Sequence, residues 1–266
     1  MRAIAAQLAG GERNADRVFV SDDAVVVLDG ATAYEPVDLD PGAYAEFVGR
    51  EIVRRLGAAP IVEAVSGAIE ATVRAHDLEP GRSPSSTVSV LRVRDDEAEL
   101  YVLGDSPIYY GAEDDMRVLR DDRLDKIASI ERAAYVDGLR AGHGYTEYHQ
   151  RVLAALQREQ RRHRNRPSGY WIAEADPQAA QHAFVRTISR GSISWAVLGS
   201  DGATDLIAGR SGNDWREIAN YSSRQLRDLL VRLHEWERDN DPHGCQLPRA
   251  KRHDDKTLVA VPDVFS

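Results

Sequence analysis

The sequence predicts an α+β fold in which antiparallel sheets are covered by helices. Strand-like segments come in adjacent, hairpin-like groups, and helix-like segments come in pairs. An alternating parallel fold would interleave them singly. The chain has 266 residues, 42% hydrophobic and 29% charged, as expected of a folded globular protein with a sizeable core.

The elements follow in order. Residues 4–8, 17–20 and 24–28 are short and rich in β-branched side chains, and Ser21-Asp22-Asp23 reads as a hairpin turn. After Pro41, Tyr44, Phe47, Val48, Ile52 and Leu56 recur at helical spacing up to Gly57. After Pro60, Ile61, Val65, Ala68, Ile69 and Val73 form a second stripe. Residues 86–93 and 100–103 predict a strand pair joined through the turn at 94–97, and 108–110 a further strand beyond Gly104-Asp105-Ser106. Residues 112–182 are polar and weakly periodic, with a helix over 145–162. They are expected to form an inserted flap within one domain spanning 1–266. A strand over 194–198 ends in Gly199-Ser200-Asp201-Gly202. Leu226, Leu229, Leu230 and Leu233 share one helix face, and 257–261 is the last strand.

Composition excludes several functions. Thirty-four basic against 43 acidic residues give a net charge of −9, which argues against nucleic-acid binding. No apolar run approaches the ~18 residues of a membrane span, and the apolar stretch in 1–10 is too short for a signal peptide. Cys245 is the single cysteine, so neither an internal disulfide nor a thiolate metal site is available, and a reducing cytoplasmic setting is expected. There is no Gly-x-Ser-x-Gly elbow and no P-loop.

Aspartates recur where strands end. Leu28-Asp29-Gly30, Leu103-Gly104-Asp105-Ser106 and Leu198-Gly199-Ser200-Asp201-Gly202 share the pattern, and Asp254-Asp255 precedes the final strand. Singly, such an aspartate reads as a turn residue. Together, mounted on rigid strands, they predict carboxylates that meet at one rim and need cations between them. Oxygen-only ligands favour Mg²⁺ or Mn²⁺. The set is expected to have no compensating Lys or His.

In order, Asn14-Ala15-Asp16, Asp29-Gly30, Ser86-Thr87, Gly104-Asp105-Ser106, Ser200-Asp201-Gly202 and Asp254-Asp255-Lys256-Thr257 resemble the motifs of the PPM/PP2C metal-dependent serine/threonine phosphatases, over nearly the whole chain. The resemblance implies a four-layer α-β-β-α sandwich, two antiparallel sheets flanked by helix pairs. It implies Mg²⁺ or Mn²⁺ as cofactor, two ions with a weaker third. Asp29 would bridge two ions, the Gly30 carbonyl would bind the second, and Asp201 and Asp254 would complete the first site. Asp105 would lie near the second and third ions, Asp16 would hold metal-bound water, and Asn14 and Asp255 would support the ligands. The implied activity is hydrolysis of phosphoserine or phosphothreonine in a protein by a metal-bridging hydroxide, with Asp29, Asp201 and Asp16 as the catalytic set.

The sequence departs from that family at defined places. Ala31 and Thr32 stand where many members carry a His, and Arg13 is the one nearby candidate for the phosphate-binding Arg. These departures keep two alternatives open: a weak or inactive regulatory domain of the same fold, and a phosphatase of a small phosphorylated metabolite. The run Arg158, Arg161, Arg162, Arg164 and Arg166 reads as a solvated helix end or a flap that attracts phosphorylated partners.

Overall fold

The computed structural model describes residues 1–33, 37–113, 115–210 and 214–266. Two five-stranded antiparallel sheets stack face to face. The first has the order β1 (Ile4–Leu8), β12 (Lys256–Val261), β11 (Trp195–Gly199), β8 (Ile108–Ala112), β9 (Asp115–Leu119). The second has the order β10 (Phe184–Ser189), β7 (Glu97–Leu103), β6 (Val88–Arg94), β3 (Ala24–Leu28), β2 (Arg17–Val20). A short pair, β4 (Gly30–Ala31) with β5 (Ser85–Ser86), sits beside them.

The central strands β3, β11 and β12 are buried along their whole length because both of their faces are covered. On β3, Val25 and Val27 enter the layer between the sheets with Leu100, Val102, Leu198 and Val259. The alternate residues Ala24, Val26 and Leu28 pack against helices α1 (Pro41–Leu56) and α2 (Ile61–His76). On the other sheet, Trp195, Val197, Leu258 and Ala260 face α5 (Asp201–Ala208), α6 (Trp215–Ala219) and α7 (Ser223–Asp239). The period of two thus distributes each strand between two cores. The result is the four-layer α-β-β-α arrangement expected. No helix of the described residues is long and apolar enough to cross a membrane.

The stripe predicted for α1 holds at Tyr44, Val48, Ile52 and Leu56, all buried, while Phe47 is 42% exposed and lies against the His76 ring. The C-terminal end of α1 is held from the sheet. Arg92 of β6 is fully buried and donates from Nη1 to the carbonyls of Leu56 (2.6 Å) and Ala59 (2.7 Å). Its Nε donates to Glu99 Oε2 at 2.7 Å. Arg92→Met would strand two carbonyls and one carboxylate, so it is expected to cost about 3 kcal/mol. Urea denaturation checks this; a loss under about 1 kcal/mol would mean water replaces the guanidinium.

The 112–182 flap needs correction at both ends. Its first part is β9, paired with β8 from Ile108↔Leu119 to Ala112↔Asp115. Its last part is core: Trp171, Ala173, Ala179 and Ala180 pack with α1 and α2. Only the middle stands outside the sandwich, as α3 (Ser129–Arg140) and α4 (Glu147–His163) around Tyr135, Leu139 and Leu156. Strand β9 escaped notice because its first four residues are exposed, which removes the apolar alternation. The arginine run is partly structural: Arg161 donates to the Gly81 carbonyl (3.0 Å), and Arg164 pairs with Glu174 (3.0 Å).

Candidate metal centre

Both sheets deliver acidic side chains to one end of the sandwich. Asp29 follows β3 directly, and Asp105 lies in the connection from β7 to β8, where the chain changes sheet. Asp201 opens α5 immediately after β11, and Asp254 lies two residues before β12. The carboxyl groups of Asp29 and Asp201 are in hydrogen-bonding contact.

The Ser86-Thr87 pair fixes Asp29. Its backbone N–H donates to Thr87 Oγ1 (3.1 Å), and its carbonyl accepts from Ser86 Oγ and from Thr87 N, both at 3.0 Å. Close backbone approach explains two glycines. A Cβ on Gly30 would stand 2.8 Å from the carbonyl oxygens of Ala15 and Pro41, and one on Gly202 would stand 2.2 Å from that of Asp255. Alanine at either position would force these strand ends apart.

Asp16 is almost completely buried. Its Oδ2 accepts from Ser200 Oγ and Thr257 Oγ1, both at 2.7 Å, whereas Oδ1 is buried with no partner. Asp255 ties down the preceding loop, accepting from Gly10 N (2.8 Å) and Ala15 N (2.7 Å), and Asn14 Oδ1 accepts from Asp16 N at 2.7 Å. Held at both ends, the loop turns its middle outward. Arg13, expected to serve phosphate, is therefore 85% exposed and lies 3.9 Å from Asp40. Arg17 is engaged as well, by the carbonyls of Asn14 and Asp16 and by Glu46.

Mutual repulsion is written into the titration of these groups. Burial pushes Asp29 well above the ordinary carboxylate range, and Asp16, Asp201, Asp254 and Asp105 push it further. Asp201 is raised by burial and by Asp105, Asp254 and Asp205. Burial raises Asp105 to about 6, helped by Asp205, Asp125 and Asp121. Asp16 also reaches about 6 through burial, against its bonds to Thr257 and Ser200. Such a set is stabilised in its charged form by a hard cation. The all-oxygen donors, the crowding of negative charge and the orphaned Asp16 Oδ1 all fit divalent ions of the Mg²⁺ or Mn²⁺ kind.

Two features went unseen in the sequence. Asp205, one helical turn after Asp201, adds to the acidic field, and the i, i+4 spacing on α5 could have disclosed it. The expectation of no compensating cation is overturned by Lys251, whose Nζ donates to Asp254 Oδ1 at 2.8 Å. A lysine in an irregular loop carries no periodic signal.

Nearby, His234, Glu237 and His253 bring ligand-type atoms within 4.8 Å of one another. Glu237, however, already pairs with Lys256 (2.8 Å), His253 (2.9 Å) and Arg249 (3.3 Å). Lysine and arginine thus supply the cations there. The network braces the segment carrying Asp254, since Lys256 Nζ also donates to the Asp254 carbonyl at 2.9 Å.

A cleft of about 600 Å³ opens above the acidic groups. Asp105, Asp201, Asp205 and Asp254 line it on one side, and Tyr135 of α3 and Leu156 of α4 on the other.

No family model matches the chain, and no curated protein sequence is similar to it. Solved structures do match along its length. The catalytic domain of the serine/threonine protein phosphatase PstP, in complex with two manganese ions, superposes with a TM-score of 0.55 at 14% identity, covering 97% of this chain and 96% of that one. The fold is that of the serine/threonine phosphatases. The PPM Ser-Thr phosphatase MsPP from Mycobacterium smegmatis gives a TM-score of 0.54 at 18% identity, covering 98% of each chain. A bacterial serine phosphatase gives 0.57 at 12%, covering 97% and 96%. The sandwich expected from the PPM resemblance is thereby matched in topology and extent.

Proposed function

We propose that the protein is a Mg²⁺- or Mn²⁺-dependent phosphatase that hydrolyses phosphoserine or phosphothreonine in protein substrates in a cytoplasmic setting. The observation that carries this reading is the convergence of Asp29, Asp105, Asp201 and Asp254, from both sheets, at one end of the sandwich. The fold shared with the PPM phosphatases, one of which is described with two manganese ions, supports it.

Asp29 would serve both ions, the Gly30 carbonyl would bind the second, Asp201 and Asp254 would complete the first site, and Asp105 would serve the second and a weaker third. Bound ions would supply Lewis acidity, lowering the pKa of water and offsetting charge on the phosphoryl oxygens. Asp16 Oδ1 is the acceptor left to orient a water. Asn14 and Asp255 fix the loop that places Asp16. Gly30-Ala31 of β4 offers no imidazole, so the leaving-group proton must come from water.

The test is turnover of an aryl phosphate and of phosphothreonine peptides by purified protein with added Mn²⁺ or Mg²⁺. Metal-dependent release of phosphate from both is expected. Metal binding without turnover of either would favour the regulatory reading, and turnover of phosphosugars alone the metabolite reading. Asp201→Asn and Asp254→Asn each remove one carboxylate from a single ion. Both are expected to weaken Mn²⁺ affinity by about tenfold or more and to recover part of their rate at high Mn²⁺. Metal titrations of rate check this; variants as active as wild type at low Mn²⁺ would remove these residues from the ligand set.

A further inference from the structure

Lys251 is the cation in direct contact with a candidate ligand carboxylate. Its Nζ donates to Asp254 Oδ1 at 2.8 Å, and the Asp255 backbone N–H donates to that same oxygen at 2.9 Å. The lysine side chain is 65% exposed, so it can move without disturbing the core. Neighbouring cations are committed elsewhere. Arg13 lies at Asp40, Arg17 at Glu46 and two carbonyls, Arg120 at Asp125, Arg249 at Asp241 and Glu237, and Lys256 at Glu237.

We propose that Lys251 is a resident cation with two positions: on Asp254 while the divalent ion is absent, and on the phosphoryl oxygens of the substrate once the ion has displaced it. The inference rests on the metal-centre reading above. An ammonium and a divalent ion compete for one carboxylate, and the doubly charged ion prevails when it is abundant. The displaced ammonium stays tethered three residues from Asp254, on a flexible four-carbon stem. It therefore remains near any anion bound to the ion that Asp254 holds. A compact ammonium is a competent phosphate ligand. The position also answers a deficit, because the outward turn of Arg13 leaves the phosphoryl group without the arginine that the sequence suggested.

Two opposite effects follow from one substitution. Lys251→Gln removes the competitor, so calorimetric titration of Mn²⁺ into the metal-free protein should show about tenfold tighter binding than wild type. It also removes the phosphate ligand, so orthophosphate titrated into the Mn²⁺-loaded protein should bind about tenfold more weakly. Lys251→Arg, which keeps the charge, should restore orthophosphate binding. A thermal melt of each variant confirms folding. If Mn²⁺ affinity or orthophosphate affinity is unchanged in Lys251→Gln, the two-position proposal is wrong and Lys251 is an ordinary surface ion pair. If wild type itself binds no Mn²⁺, the metal-centre reading fails, and this inference fails with it.

Discussion

Asp29→Asn is expected to abolish phosphomonoester hydrolysis, with kcat falling by about a thousandfold or more, equivalent to ~4 kcal/mol of transition-state stabilisation. The change is nearly isosteric and leaves the backbone bonds to Ser86 and Thr87 in place. It also removes the carboxylate that Asp16, Asp201, Asp254 and Asp105 all repel. The metal-free variant should therefore melt at or above the wild-type temperature while losing its rate. High Mn²⁺ should restore little if Asp29 serves both ions as proposed, because raising the occupancy of one cannot replace it. Near-normal turnover in Asp29→Asn would show that the strand-end aspartates are turn residues.

Metal removal should have the second large effect. EDTA is expected to eliminate activity and lower the melting temperature, because an ion that binds only the folded chain stabilises it by mass action, about 2.7 kcal/mol at a hundred times Kd. The pH dependence follows from the carboxylates. Asp16 and Asp105 titrate near 6 in the folded protein, above the ordinary carboxylate value of about 4. The folded state therefore holds their protons more tightly than the unfolded state. Folding is disfavoured progressively as pH rises from about 4 through 6, and that penalty is complete above it. Metal-free protein should thus melt higher at pH 5 than at pH 8. Saturating Mn²⁺ should flatten or reverse the trend, because it binds the deprotonated groups. Melting curves across pH, with and without Mn²⁺, decide; a metal-free protein more stable at pH 8 would contradict the crowding of charge.

Much of this was legible in sequence because the physics was local. Strands β1, β2 and β3 fall where the β-branched runs placed them, and α1 begins at Pro41 and α2 directly after Pro60. Asp29, Asp105, Asp201 and Asp254 stood out because each lies next to one end of an apolar strand, a pattern that does not need the fold to be known. What stayed hidden depends on distant partners. Strand β10 is exposed along most of its length, so it shows no alternation, and its pairing with β7 is what makes it a strand. The direction of Arg13 is set by Asp255, more than 200 residues away in the chain, through Gly10 and Ala15. Lys251 was missed for the same reason. Its partner is local, but the loop that delivers it is shaped by the Glu237 network.

The pairing of β1 with β12 sets the order in which the chain can fold. The sheet containing β2, β3, β6, β7 and β10 has all its strands once Ser189 has been synthesised. In the other sheet, β1 has β12 as its sole strand neighbour among the described residues, through five register pairs from Ile4↔Ala260 to Leu8↔Lys256. During synthesis the first strand must therefore wait for the last, across almost the whole length of the chain, and closing so long a loop is slow. Asp254 sits immediately ahead of β12, and the Asp16 carboxylate needs Thr257 from it. A nascent chain can thus hold one finished sheet and its two helices while still lacking the arrangement that would bind an ion. One strand thus closes the second sheet and brings the acidic groups of that end into place together.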